Sequence, residues 1–419
     1  MDYYLILTAL ITLSAIFGYI NVRFLKLPNT IGLMLITIVY TLIVFGLSYF
    51  DDTLLQAEIA FIRQINFKEL LLDHMLSFLL FAGAMHTNFQ QLKVQRWPIL
   101  MFSTLGVLVS TFLVGGCVFF LLDIFGLGVP FIYCLLFGAL ISPTDPIAVL
   151  GILKKAGVPK KLETKIVGES LFNDGVGVVI FLTIYQIAFG SGSVEVSEIA
   201  KLFGVEVFGG VAFGLLLGWI TYRLLKSIDD FDIEVIITLA MVMGGTVLAQ
   251  KMHISAPLAM VTAGLMVGND TIRQTAMSET TEIYVDKFWE LIDILLNAIL
   301  FVLIGMEMLV LVYDKNFILV GLLVIPVVLV CRYLSLLLPV NIFKNKLDFV
   351  PKTNVIMTWG GLRGGISIAL ALGLSQDMHR DMFLVITYIV VVFSILVQGL
   401  TVGKLVNRIL SKNKKTSAN

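Results

Sequence analysis

The chain has 419 residues, of which 58% are hydrophobic and 14% charged, where an ordinary soluble domain carries roughly 25% charged residues. Basic and acidic residues balance at 29 each, which argues against a nucleic-acid or strongly anionic partner. Three scattered cysteines make no disulfide framework, and four histidines show no ligand spacing with cysteine or carboxylate, so no cofactor or resident metal is expected.

Apolar runs long enough to cross ~30 Å of hydrocarbon recur from end to end. A closed barrel would need short alternating segments, and these runs are continuous, so the fold expected is all-α and integral to a membrane. The first run follows Asp2 rather than a basic stretch and lacks a small-residue cleavage site; it is read as a spanning helix, not a signal peptide. Thirteen spans are predicted, at 3–24, 30–49, 69–89, 97–122, 129–153, 163–189, 202–226, 232–250, 254–268, 284–312, 316–341, 352–375 and 382–408. The ninth is short enough to need burial against its neighbours.

Cytoplasmic loops collect Lys and Arg. With the N-terminus outside, 21 of the 29 basic residues fall on inside segments and six outside, while Arg332 and Arg363 lie within spans. A wrong span count would scramble that alternation. The polar residues 409–419 are then a cytoplasmic tail.

Two spans carry strong helix breakers. In the fifth, Ser142-Pro143-Thr144-Asp145-Pro146 sets two prolines three residues apart, freeing the carbonyls of Ala139 and Ser142. Freed carbonyls at membrane depth are tolerated where they line a cavity or bind something. The plainer reading is a proline kink in a packed bundle, but the intramembrane Asp145 beside it is itself costly. In the twelfth, Gly360-Gly361-Leu362-Arg363-Gly364-Gly365 surrounds a buried arginine with four glycines; close helix packing through small residues is the alternative there. The breaks lie seven spans apart, so their helices run in opposite directions. That predicts an inverted-topology repeat, residues 1–189 against 232–408, with 202–226 as linker, and points to an ion site at the breaks.

The sixth span holds the densest polar cluster, Gly168-Glu169-Ser170-Leu171-Phe172-Asn173-Asp174-Gly175. Glu169 and Asn173 share one helix face, Ser170 and Asp174 another. Both carboxylates must face protein or water. Arg332 is the candidate counter-charge for one of them, and a purely structural ion pair is the plain alternative for Glu169. Asp293, Asn297 and Glu307 read first as helix–helix glue or rim residues, and His86 as interfacial.

Together, Gly168–Asp174 (GESLFND), Pro143–Val149 (PTDPIAV) and Gly360–Ala371 (GGLRGGISIALA) resemble the sodium/proton exchanger branch of the monovalent cation–proton antiporters, over essentially the whole chain. The resemblance implies a thirteen-helix homodimer in the cell membrane whose core carries the ion across. Asp174 would carry cation or proton, with Asn173 as its partner. Ser170, the backbone around Thr144 and, through water, Glu169 would complete the shell of a monovalent cation. Arg332 would pair with Glu169, while Asp145 and Arg363 would compensate the half-helix ends. Many relatives carry a glutamate where this chain has Ala82, which removes one acidic relay. The rival readings are a cation channel and an intramembrane aspartyl protease using Asp145 and Asp174. The protease lacks its Gly-x-Gly-Asp signature, and a channel takes its acidic ring from several copies.

The basic-residue bias makes the loop 154–165 cytoplasmic. A cysteine placed there in intact cells is expected to resist a membrane-impermeant thiol reagent; labelling from outside would invert the topology.

Overall fold

The computed structural model describes residues 3–145, 150–153, 157–189, 196–343, 349–350 and 352–416, without the side chains of 3, 196–200, 202 and 412–416. Nine helices among these are long and apolar enough to cross a membrane: α1 (Tyr4–Leu25), α2 (Asn29–Leu47), α4 (Arg96–Ile124), α6 (Lys160–Phe189), α7 (Phe203–Leu225), α8 (Phe231–Lys251), α10 (Glu279–Val310), α11 (Lys315–Phe343) and α14 (Arg380–Ser411). The other predicted spans hold shorter helices. These are α3 (Glu69–Met75 continuing as Leu76–Met85), α5 (Phe131–Ile141), α9 (Ala256–Val267), and α12 (Thr353–Gly360) followed by α13 (Gly365–Leu372).

The fifth and twelfth spans are the interrupted ones. Helix α5 stops at Ile141, where Pro143 cannot extend the ladder. Pro146 lies outside the described residues. Between α12 and α13 the chain leaves the helix from Gly361 to Gly364. The two non-helical stretches meet: Asp145 and Leu362 form an isolated antiparallel bridge, with the Asp145 N–H donating to the Leu362 carbonyl at 2.8 Å.

Small residues set how closely the helices approach. Helix α4 packs on α5, α7 on α9, and α9 on α3. A Cβ at Gly115 of α4 would lie 3.0 Å from the Cys134 carbonyl oxygen of α5, and one at Gly138 of α5 would overlap the Thr111 carbonyl of α4. A Cβ at Gly264 of α9, or at Gly268 just past its end, would likewise meet backbone atoms of Phe81 and Met85 on α3. Without a hydrophobic force between helices in lipid, such backbone approach supplies the packing energy. The short α9 is covered in this way by α3 and α7; ten of its twelve residues are buried.

Two details differ from the sequence reading. Thr53–Ile62 forms a short helix within the segment read as an outside loop. Lys165, counted with the cytoplasmic loop, is buried in α6 with its ammonium 3.6 Å above the Phe349 ring. A long aliphatic stem and an aromatic face give that charge a place inside the bundle.

Gly138→Ala should lower thermal stability, because the new methyl group meets rigid backbone and the α4–α5 contact must open. Overpacking of this kind costs about 1–3 kcal/mol; an unchanged melting temperature in detergent would refute the close contact.

Candidate functional site

Helix α6 delivers its polar residues on two faces, as the spacing of four requires. Glu169 and Asn173 turn into the protein and are buried, at 1% and 0% exposure. Ser170 and Asp174 line a cavity of about 870 Å³, whose wall also includes Pro143, Asp145 and Gly364 from the two interruptions. Asp174 retains 8% of its surface.

The inner face anchors the break in α5. Asn173 Nδ2 donates to Thr144 Oγ1 at 2.9 Å, and the Thr144 N–H donates to Asn173 Oδ1 at 3.4 Å. Thr144 Oγ1 also lies 3.2 Å from Ser170 Oγ. One amide therefore holds both a backbone and a side-chain group of the unwound stretch, and two hydroxyl oxygens are brought together beside the Asp174 face. Glu169 reaches across to α11, where Arg332 Nη1 sits 2.6 Å from its Oε1. Both side chains are 2% exposed.

Arg363 occupies the other interruption. Its Nη1 donates to the Ser142 carbonyl and, at 2.9 Å, to the Pro143 carbonyl. Of the two carbonyls expected to be freed, that of Ser142 is thus met by a guanidinium from the twelfth span, and Pro143 adds one. Gly364 is needed because a Cβ there would come within 2.6 Å of the Asp145 carboxylate. At Gly361 a Cβ would crowd Thr144 Cγ2 at 3.1 Å and Arg332 Nη2 at 3.2 Å.

Sequence reasoning missed two contributors on α14. Ser394 Oγ accepts from the Arg363 N–H at 2.9 Å. Gln398 Nε2 donates to the Trp359 carbonyl at 3.1 Å, satisfying the end of α12. The available signal was a pair of polar residues four apart inside an apolar run. It also missed that Asp293 and Asn297 line the same cavity as Asp174. Ala82 is fully buried in the apolar cluster around Met260 and Trp289, and the cavity wall at that level is Gly83.

The cavity is polar at one end, where His86, Asn88, Gln91, Lys160, Glu163 and Glu290 gather. At the other end Leu300 and Ile304 of α10 press on Gly365, leaving no room for a Cβ. Among the described residues no group of three or more His, Cys, Asp or Glu is placed to hold a metal ion. The oxygens at Asp174, Ser170 and Thr144 suit a hard cation instead.

A bundle of apolar helices, two of them interrupted and crossing, with a carboxylate on a cavity at the crossing, defines a membrane transporter rather than an enzyme. The family described as sodium/hydrogen exchanger, transmembrane, matches residues 11–408, and the chain belongs to that family. It is 49% identical over 409 residues to the Na(+)/H(+) antiporter NhaP of Pseudomonas aeruginosa, covering 96% of each chain. It is 33% identical over 392 residues to NhaH of Halobacillus dabanensis, covering 92% of this chain and 93% of that one. In structure it is similar to the sodium proton antiporter MjNhaP1 of Methanocaldococcus jannaschii, with a TM-score of 0.74 at 18% identity, over 96% of this chain and 97% of the other.

The Glu169–Arg332 contact carries a thermodynamic signature. Removing one partner of a buried ion pair costs roughly 3–5 kcal/mol, because the other charge stays behind. Glu169→Ala and Arg332→Ala should each lower thermal stability more than the double variant does. Additive losses would show that the two charges do not interact.

Proposed function

We propose that the chain exchanges a monovalent cation, Na+ first among them, for a proton across the cell membrane, one for one and without net charge movement. The relatives NhaP and NhaH are both named Na(+)/H(+) antiporters, which supports the pair of substrates. The observation that carries the stoichiometry is at α6: Asp174 lines the cavity, while its neighbour Asn173 is a neutral amide committed to Thr144.

The charges near the crossing support the same reading. Glu169 is paired with Arg332, and Arg363 sits at the interruption beside Asp145. Asp174 remains as one more negative charge than these arginines balance. A single monovalent cation or a single proton cancels it, so the two compete for one site. The cation would be held by the Asp174 carboxylate with the oxygens of Ser170 and Thr144, and Glu169 would act through water. The polar end of the cavity lies where α6 and α10 begin, the side to which the basic residues assign the cytoplasm, so this conformation corresponds to an inward-facing carrier with its C-terminus inside. A homodimer and an inverted repeat of residues 1–189 and 232–408 belong to the same proposal. A cavity polar at one end and apolar at the other favours a carrier over a channel.

In proteoliposomes carrying valinomycin-set potentials, the exchange rate should not depend on voltage. Apparent cation affinity should fall as pH drops and protons claim Asp174. Asp174→Asn should abolish exchange and leave the protein folded. A clear voltage dependence would rule out the single-carboxylate scheme.

A further inference from the structure

Asp293 and Asn297 of α10 sit one turn apart on the wall of the cavity that Asp174 lines. Asn297 spends its Nδ2 on its own helix, donating to the Asp293 carbonyl at 2.8 Å and to Asp293 Oδ1 at 2.9 Å. Two acceptors on one nitrogen fix which end of the amide is which. The Asn297 Oδ1 is left buried, on a side chain only 4% exposed, with no hydrogen-bond partner among the described residues. An unpaired amide oxygen inside a membrane protein is expensive. A residue acting as helix glue would bond to another helix, and among the described residues the hydrogen bonds of this pair stay within α10.

From this we infer that Asp293 and Asn297 form a docking station for the exchanged cation, which holds it on the α10 wall before it passes to Asp174. The inference rests on the exchange reading and adds a second site to it. Its donors are a carboxylate and an orphaned amide oxygen, an all-oxygen set suited to an alkali cation and unable to hold an anion. Depth supports transfer between the two sites. Asp174 lies fourteen residues into α6, which starts at Lys160, and Asp293 lies fourteen residues into α10, which starts at Glu279. The cavity wall takes Lys160 from the very start of α6 but Glu290 as its first residue from α10, so Asp293, three residues past Glu290, stands nearer the polar end than Asp174, fourteen past Lys160, at about 1.5 Å of rise per residue. Towards that end Glu290, one turn before Asp293 on α10, lines the wall with its carboxylate 2.6 Å from the Lys287 ammonium. One further acidic side chain of α10 thus precedes Asp293 on the way in from the polar end. Past Asn297, Leu300 closes on Gly365, so the station is the last polar step before the carrier site.

The test is Na+-driven proton flux in proteoliposomes, with KM and maximal rate measured separately. Asp293→Asn, which keeps size and shape, should raise the KM for Na+ about tenfold and hold the maximal rate within about twofold, an asymmetry expected of lost binding. Asp293→Glu should recover most of the affinity. Asn297→Leu, which removes the orphaned oxygen, should raise KM severalfold and provides the readout if Asp293→Asn does not fold. A KM within about twofold of the unaltered protein in the variants that fold would overturn the station, as would a loss confined to maximal rate or thermal stability. If the unaltered protein shows no Na+-coupled proton flux, the exchange reading fails with it. Normal flux with insensitive variants defeats the station alone.

Discussion

The structure depends on satisfying backbone groups where two helices come apart inside the membrane. Hydrocarbon offers no hydrogen bonds, and each unpaired amide or carbonyl there costs several kcal/mol. The two interruptions answer each other. The Asp145 N–H pairs with the Leu362 carbonyl, and the guanidinium of Arg363 covers the carbonyls of Ser142 and Pro143. Ser394 and Gln398 of α14 then serve the Arg363 N–H and the Trp359 carbonyl. Either break alone would leave these groups bare. The glycines at 361 and 364 follow from the same constraint, since a side chain at either would push the segments apart.

Charge placement follows from backbone placement. Arg363 is held beside the Asp145 segment because it caps the break, and Arg332 is held by Glu169 from the inner face of α6. Both arginines are committed to fixed partners, so neither is free to neutralise Asp174 on the opposite face. A carboxylate left without a counter-charge at such depth is costly. Under the proposed exchange, that cost is the thermodynamic pull on a passing cation or proton.

Much of this was legible in the residues. Continuous apolar runs fixed the all-helical membrane class, and helices occupy each predicted span among the described residues. Pro143 and the Gly360–Gly365 cluster announced the interruptions, because proline and glycine act locally and tertiary context seldom hides them. Spacing alone sorted Glu169 and Asn173 from Ser170 and Asp174, a consequence of helical geometry. What escaped was whatever depends on which helix lies next to which. Ser394 and Gln398 look like ordinary polar residues in α14 until the broken twelfth span is laid against them. Asp293 and Asn297 looked like glue because sequence does not tell a cavity wall from a helix interface. Lys165 reads from the sequence as part of a basic loop because the Phe349 ring that shelters it is distant in the chain.

Asn173 joins the two problems. Its amide grips Thr144 through both backbone and hydroxyl, and it lies on the same helix as Asp174, so the proposed ion site and the crossing form one mechanical unit. An aspartate there would lose the donor that reaches Thr144 and add a second titrating charge, altering stability and stoichiometry together. Under the exchange reading this explains why coupling holds. The unit with Asp174 empty carries an unbalanced charge, and moving that charge through a low-dielectric barrier is far more costly than moving the neutral, loaded form. Only a bound cation or proton removes the penalty. Obligate exchange therefore requires no separate gate that senses occupancy, because the same uncompensated carboxylate that attracts the ion also blocks the return of the empty carrier.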